Sequence, residues 1–115
     1  MKALFICGRA RRRSPTAAQV FATWDGVRTD FGGVSADADD VLSADQIDWA
    51  DQIFVMEQRY AKRLSEGYGP ALRGRRVINL AIRDQFAFMD PHLIEALIQK
   101  AGPHLRQGKG QGRKR

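Results

Sequence analysis

The chain has 115 residues, of which 43% are hydrophobic, and this length suits one domain rather than two. No apolar run approaches the ~18 residues that span a bilayer, and the run after Met1-Lys2 is too short for a secretory signal. A single cysteine excludes an internal disulfide framework, so we expect a cytoplasmic protein that binds no membrane.

The net charge of +6 is distributed unevenly along the chain. Five positive charges lie after residue 105, where no acidic residue follows: Arg106, Lys109, Arg113, Lys114 and Arg115. The remainder of the chain therefore has a net charge of only +1. We predict one domain over residues 1–102 and a basic, disordered tail over residues 103–115.

Short apolar runs alternate with helical patterns along the domain. The predicted strands are residues 2–6, 27–31, 52–56 and 76–80, with the second at a sheet edge and followed by a turn at Gly32-Gly33. The predicted helices are residues 15–24, 43–49, 57–66 and 90–101, with Ser14 and Ser43 as caps and Gly102-Pro103 as the end of the last. This alternation predicts an α/β protein with a parallel sheet covered by helices on both faces.

The loop after the first strand carries the most specific chemical pattern of the chain. It reads Cys7, Gly8, Arg9, Ala10, Arg11, Arg12, Arg13, Ser14. Backbone amides of such a loop, together with the following helix N-terminus, can surround a phosphate and favour the reactive thiolate of Cys7. Arg13 can bind two phosphate oxygens at once, and Ser14 can donate its hydroxyl to the sulfur. The alternative is that Cys7 is a small buried hydrophobic residue at a strand end.

This loop resembles the C-x5-R-[ST]-P nucleophile loop of the low-molecular-weight protein tyrosine phosphatases, and most closely that of the short bacterial members. Three later blocks are similar to the family in order and spacing: residues 49–57 (WADQIFVME), 76–80 (RVINL) and 88–93 (FMDPHL). The resemblance covers residues 1–101. It implies a three-layer fold with a four-stranded parallel sheet in the order 2-1-3-4. It also implies hydrolysis of phosphotyrosine or other aryl phosphates through a cysteinyl-phosphate, with no metal or cofactor.

The resemblance also implies a general acid on the loop after the fourth strand. The short bacterial members carry a pattern similar to LDIPDxYxFMDP there, whereas residues 80–91 of this chain read LAIRDQFAFMDP. Ala81 and Arg83 replace the first aspartate and the proline, so Asp84 is the candidate acid, with a surface carboxylate as the alternative. Asp90 precedes a proline, as the acid does in larger members, but a helix cap is its simpler role.

Other residues of the two loops have less certain roles. The family usually has an asparagine at the position of Ala10, where its side chain helps to hold a left-handed turn, and alanine is costly there. Arg9, Arg11 and Arg12 either form a solvated rim or recognise further phosphates or an acidic peptide. Two aromatic residues, Phe86 and Phe88, either form the wall of a substrate slot or pack their loop against the domain.

No metal or nucleotide signature accompanies these loops. His92 and His104 have no thiol near them in sequence, and Asp37, Asp39 and Asp40 lack the spacing of a calcium loop. Glycine-rich motifs for binding nucleotides are also missing from the sequence.

The sequence therefore predicts a phosphatase whose partner is a phosphorylated protein or a small aryl phosphate. Three alternatives remain open. The protein could be a catalytically weak or inactive module that binds phosphate or phosphoproteins. It could be an arsenate reductase that uses an external thiol, because the chain has no second cysteine. A nucleic-acid binder is the least favoured alternative, and the oligomeric state is left open.

Overall fold

Four short strands form one parallel sheet at the centre of the molecule. A computed structural model describes the backbone of residues 1–112 and the side chains of residues 1–106. The strands are β1 (Lys2–Cys7), β2 (Arg28–Gly33), β3 (Gln52–Val55) and β4 (Arg76–Asn79). Their order is β2-β1-β3-β4, and every pairing is parallel. The predicted fold class and strand order are confirmed.

Helices cover both faces of this sheet. They are α1 (Arg13–Phe21), α2 (Ala44–Trp49), α3 (Gln58–Tyr68) and α4 (Pro91–Gly112), with a short 3-10 helix at Gly69–Leu72. α1 and α4 contact each other on one face, where Phe5 stacks between Phe21 and Phe54 with ring centroids 5.6 and 5.1 Å away. The buried side chains of α3, Tyr60 and Leu64, belong to the same continuous core.

Ser43 caps α2 as the sequence predicts. Its hydroxyl accepts a hydrogen bond from the Gln46 backbone, and the Gln46 side chain accepts one from the Ser43 backbone, which completes a capping box. Ser14, in contrast, does not cap α1, because Arg12 occupies the cap position and Ser14 lies inside the helix. The hydroxyl of Ser14 is directed to the sulfur of Cys7 instead.

The prediction that Gly32 and Gly33 form a turn is wrong. Both residues lie in β2, paired with Ile6 and Cys7 of β1. A Cβ atom on Gly33 would lie 2.5 Å from the carbonyl oxygen of Gly8. Glycine is needed here so that β2 can approach the loop after β1, and β2 consequently extends two residues beyond its predicted end at Phe31.

The prediction that Gly102 and Pro103 end the last helix is also wrong, because α4 continues through Pro103 to Gly112. A proline inside a helix removes one hydrogen bond and costs about 3 kcal/mol. Packing offsets this cost, since Leu105 is fully buried and the Arg106 guanidinium lies 5.0 Å from the Trp24 ring centre. The predicted boundary at residue 102 therefore falls inside an element. The final part of the predicted tail, residues 113–115, lies outside the described residues.

Candidate active site

The loop after β1 lies at the carboxyl edge of the sheet and is held by the segment that follows β2. Val34 donates its backbone N–H to the Cys7 carbonyl at 3.0 Å, and Ser35 donates to the Gly8 carbonyl at 2.9 Å. Asp39 donates in the same way to Arg9, at 3.0 Å. Ligands of open parallel sheets bind beyond this edge, so β1 presents Cys7 at the expected position.

The sulfur of Cys7 faces the loop rather than the hydrophobic interior. It lies 3.0 Å from the Ser14 hydroxyl and accepts the Ala10 N–H at 3.2 Å. Cys7 lines a cavity of about 320 Å³ together with Gly8, Arg12 and Arg13 of its own loop. The sulfur is therefore in contact with polar groups of its own loop at the wall of this cavity.

Ala10 has a left-handed backbone conformation, with φ of 58°. This is the conformation that the sequence analysis expected at this position and that is unfavourable for alanine. This conformation directs its N–H toward the sulfur. The left-handed turn of the loop therefore forms with alanine at this position, without the asparagine side chain that the family usually has there.

Arg13 is buried, and its guanidinium is held by three acceptors. Nη1 donates to Glu57 Oε2 at 2.5 Å and to the Ile82 carbonyl at 2.7 Å, and Nη2 donates to the Tyr60 hydroxyl at 3.0 Å. A guanidinium has five N–H donors. The three bonds leave Nε–H and one Nη2–H without a hydrogen bond, with the Asp84 carboxylate 3.9 Å from Nε.

Glu57 and Tyr60 are site residues that the sequence analysis missed. Burial alone would lower the pKa of Arg13, but its hydrogen bonds to Glu57 and Tyr60 outweigh burial and raise that pKa. Burial would likewise raise the pKa of Glu57, but hydrogen bonds from Arg13 and Arg59 lower it below the ordinary value. Both groups of the ion pair are therefore charged at neutral pH. Glu57 lies two residues after the end of the buried strand β3, and this position was the available sequence signal.

Asp84 lies on the loop after β4 and lines the same cavity as Cys7. Its Oδ1 is 3.5 Å from Arg12 Nη1 and 3.9 Å from Arg13 Nε, and its side chain is 48% exposed. The loop is fixed on either side of Asp84 by two hydrogen bonds. The Ile82 carbonyl accepts one from the Arg13 guanidinium, and the Met89 N–H donates one to the Thr16 hydroxyl at 2.9 Å. Cavity, nucleophile loop and candidate acid are thus brought together.

Asp90 caps α4. Its Oδ1 accepts the backbone N–H of His92, the second residue of the helix, at 2.8 Å. Asp90 is not among the residues that line the cavity. The structural role expected for this aspartate is confirmed.

Phe86 and Phe88 do not line the cavity. Phe86 is half-buried against the core, and Phe88 is among the exposed large hydrophobic residues, at 48%. The aromatic residue in the cavity wall is Tyr60 of α3. Neither phenylalanine therefore forms part of the wall of this cavity.

The other loop arginines point to acidic neighbours on the rim. Arg9 lies 3.6 Å from Asp37, and Arg11 lies 3.2 Å from Asp39. A hydrogen bond from Ser35 and the charge of Arg9 lower the pKa of Asp37. All of these pairs are exposed, and exposed ion pairs contribute only about 0–1 kcal/mol each.

Among the described residues, no cluster of three histidine, cysteine or acidic side chains could hold a metal ion. No helix in the same part of the chain is long and apolar enough to cross a membrane.

Solved structures similar to this chain are phosphatases. YwlE arginine phosphatase from Geobacillus stearothermophilus superposes with a TM-score of 0.72 at 20% identity, covering 97% of this chain and 96% of that one. Vibrio vulnificus Wzb in complex with benzylphosphonate gives 0.73 at 16% identity, with 92% and 97% covered. SP-PTP, a low molecular weight protein tyrosine phosphatase from Streptococcus pyogenes, gives 0.70 at 14% identity, with 92% and 91% covered.

No family model and no curated protein sequence matches the chain. The structural likeness nevertheless spans nearly all of it, so the chain has the fold of the low-molecular-weight protein tyrosine phosphatases. The resemblance read from the sequence is confirmed at the level of the fold.

Proposed function

We propose that this protein is a phosphomonoesterase that hydrolyses phosphotyrosine or other aryl phosphates through a cysteinyl-phosphate intermediate. The observation that carries the proposal is that Cys7, Arg13 and Asp84, from two different loops, line the same cavity. The phosphatases of the same fold support the reaction class.

In the first step the Cys7 thiolate attacks phosphorus, and an S–P bond forms as the bond to the aryl oxygen breaks. Asp84 gives its proton to the departing oxygen, so that a phenol leaves rather than a phenolate. The two free N–H groups of Arg13 and the loop amides stabilise the negative equatorial oxygens.

In the second step a water molecule attacks phosphorus, and Asp84 accepts its proton. The S–P bond breaks, and inorganic phosphate is released. Ser14, 3.0 Å from the sulfur, stabilises the thiolate that leaves. Each group thereby returns to its starting protonation state.

The charge of the cavity wall favours an aryl ester over a phosphorylated arginine. Six arginines line the cavity, and Asp84 is the acidic residue that lines it with them. A leaving phenol is neutral, whereas a leaving guanidinium is a cation and would be repelled by these side chains. The activity of YwlE on arginine is therefore not carried over to this chain.

The test is release of phosphate from para-nitrophenyl phosphate and from a phosphotyrosine peptide, by the unaltered chain and by Cys7→Ser. We expect Cys7→Ser to abolish turnover. The matched control is the double variant Cys7→Ser/Ser65→Cys, which keeps one thiol but places it on the exposed side of α3. Turnover by either variant would contradict the proposal, and peptide binding by the unaltered chain without turnover would favour a binding module.

A further inference from the structure

A second cavity adjoins the candidate active site on α3. It has a volume of about 280 Å³, and Arg59, Tyr60 and Arg63 belong to the walls of both cavities. Lys62 and Glu66 complete its lining. Because three residues are shared, one ligand can extend from the first cavity into the second.

The second cavity is positively charged. Lys62 and Arg63 lie three and four residues after Arg59 in α3. This spacing places each of them beside Arg59 on the helix surface. Glu66 is the acidic residue of its lining. Arg63 donates to the Val34 carbonyl at 3.1 Å, and it forms no salt bridge among the residues whose side chains are described.

Tyr60 connects this surface to Arg13. Its hydroxyl accepts one N–H from Arg13 and one from Arg59, each at 3.0 Å. The Arg59 guanidinium also lies 4.9 Å from the centre of the Tyr60 ring. Arg59 is therefore held in place against the wall that separates the two cavities.

We propose that Arg59, Lys62 and Arg63 form a second anion-binding site, the α3 subsite, which binds a carboxylate or a second phosphate on the same substrate. The substrate class is a phosphorylated peptide with an acidic or phosphorylated residue beside the phosphotyrosine. This inference rests on the proposed function, since it takes the first phosphate to lie at Cys7.

An exposed ion pair contributes about twofold to fivefold to affinity, so Lys62 and Arg63 together can give about tenfold. Arg59 adds less, because the Glu57 carboxylate lies 3.2 Å from its guanidinium. The contribution is electrostatic, so it falls with added salt. The subsite thus distinguishes substrates by the charge around the phosphate rather than by the phosphate itself.

The experiment compares kcat/KM for three phosphotyrosine peptides of the same length: one with neutral flanks, one with glutamates and one with a second phosphotyrosine. For the unaltered chain we expect the two anionic peptides to exceed the neutral one by about tenfold at low salt. If only the doubly phosphorylated peptide gains, the second group is a phosphate; if both gain, either anion is bound.

The variant Lys62→Gln/Arg63→Gln should reduce this preference to about twofold. The matched control is Arg28→Gln/Arg76→Gln, which removes the same charge. These two exposed residues begin β2 and β4, at the end of the sheet away from the loop after β1. The control should keep the full preference. A preference near one for the unaltered chain, or an equal loss in the control, would overturn the inference.

Failure of the proposed function gives a different result. In that case para-nitrophenyl phosphate and all three peptides are left intact by the unaltered chain. The same peptides are then compared by titration calorimetry, where a tenfold preference that depends on Lys62 and Arg63 still supports the subsite. An equal affinity for all three peptides overturns it.

Discussion

The two loops that form the candidate site are built differently. The nucleophile loop, residues 7–13, is held by backbone hydrogen bonds from residues 34–39, and its sulfur and its final arginine are buried. The acid loop, residues 80–90, is anchored at Ile82 and Met89, while Asp84 between them is half exposed. The nucleophile is thus fixed by backbone hydrogen bonds, whereas the candidate acid is held by the anchored ends of its loop and by exposed contacts with Arg12 and Arg13.

This difference shows which part of such a site can change without damage to the fold. A substitution in the nucleophile loop alters packing as well as chemistry, because its backbone is in contact with β2. A substitution at Asp84 alters chemistry alone, since exposed side chains contribute little to stability. The following changes separate the two cases, beginning with the largest expected effect.

Asp84→Asn is expected to lower kcat by about 10²-fold on an aryl phosphate with a poor leaving group. The free energy of unfolding should change by less than about 0.5 kcal/mol. Asp90→Asn is the control, because asparagine caps a helix as well as aspartate does. An equal loss of kcat in Asp90→Asn would contradict the assignment of Asp84.

Gly33→Ala is expected to reduce both stability and turnover. The added Cβ would lie 2.5 Å from the Gly8 carbonyl oxygen and 2.7 Å from the Ala38 Cβ, so the loop must shift. We expect a loss of about 3 kcal/mol in the free energy of unfolding, measured in urea. Gly67→Ala, in α3 with open space around it, should instead stabilise the protein by about 1 kcal/mol. A neutral Gly33→Ala would show that the loop does not depend on this close approach.

Glu57→Gln is expected to cost about 2 kcal/mol at pH 7, since it weakens a charged hydrogen bond to buried Arg13. The pKa of Glu57 is lower in the folded protein than its ordinary value of 4.5. Its stabilisation is therefore complete above about pH 4.5 and is lost as the pH falls through the folded pKa.

Urea unfolding of both proteins from pH 7 to pH 3 measures this dependence, with Glu66→Gln as the exposed control. The difference between the unaltered chain and Glu57→Gln should shrink as the pH falls. A difference that stays constant over this range would show that the charge of Glu57 is not the source of the stabilisation.

Ala10→Gly is expected to have the smallest effect, a gain of about 0.5 kcal/mol. Glycine removes the cost of the left-handed conformation, about 1–2 kcal/mol. It also loses more conformational entropy on folding than alanine does, and this loss cancels part of the stabilisation. Ala61→Gly, inside α3 with ordinary helical backbone, should change stability in the opposite direction by about 1 kcal/mol. Thermal unfolding of the two variants gives the sign directly, and destabilisation by Ala10→Gly would contradict the strain at Ala10.

Short apolar runs in the sequence were sufficient to predict the parallel sheet, and one motif was sufficient to predict the nucleophile loop. The strand order was implied only by the resemblance to a known family. The errors arose where tertiary contacts override local preference. Gly33 is a residue type typical of turns, yet it lies in β2 and allows the backbone there to approach the backbone of Gly8. Proline is typical of a helix end, yet α4 continues beyond Pro103, because burial of Leu105 stabilises the helix there. Glu57 and Tyr60 could not be assigned, since their role depends on where Arg13 is directed.

The passage of α4 through Pro103 has a consequence for the extent of the folded unit. The Gly102 backbone and the Arg106 side chain cover the Trp24 ring, and the His104 ring lies 6.0 Å from that of Phe54. Arg106 and His104, which the sequence assigned to a solvated extension, thus lie against the rings of Trp24, which follows α1, and of Phe54 in β3. The hydrophobic interior is therefore closed in part by the segment after the proline, where Leu105 is fully buried.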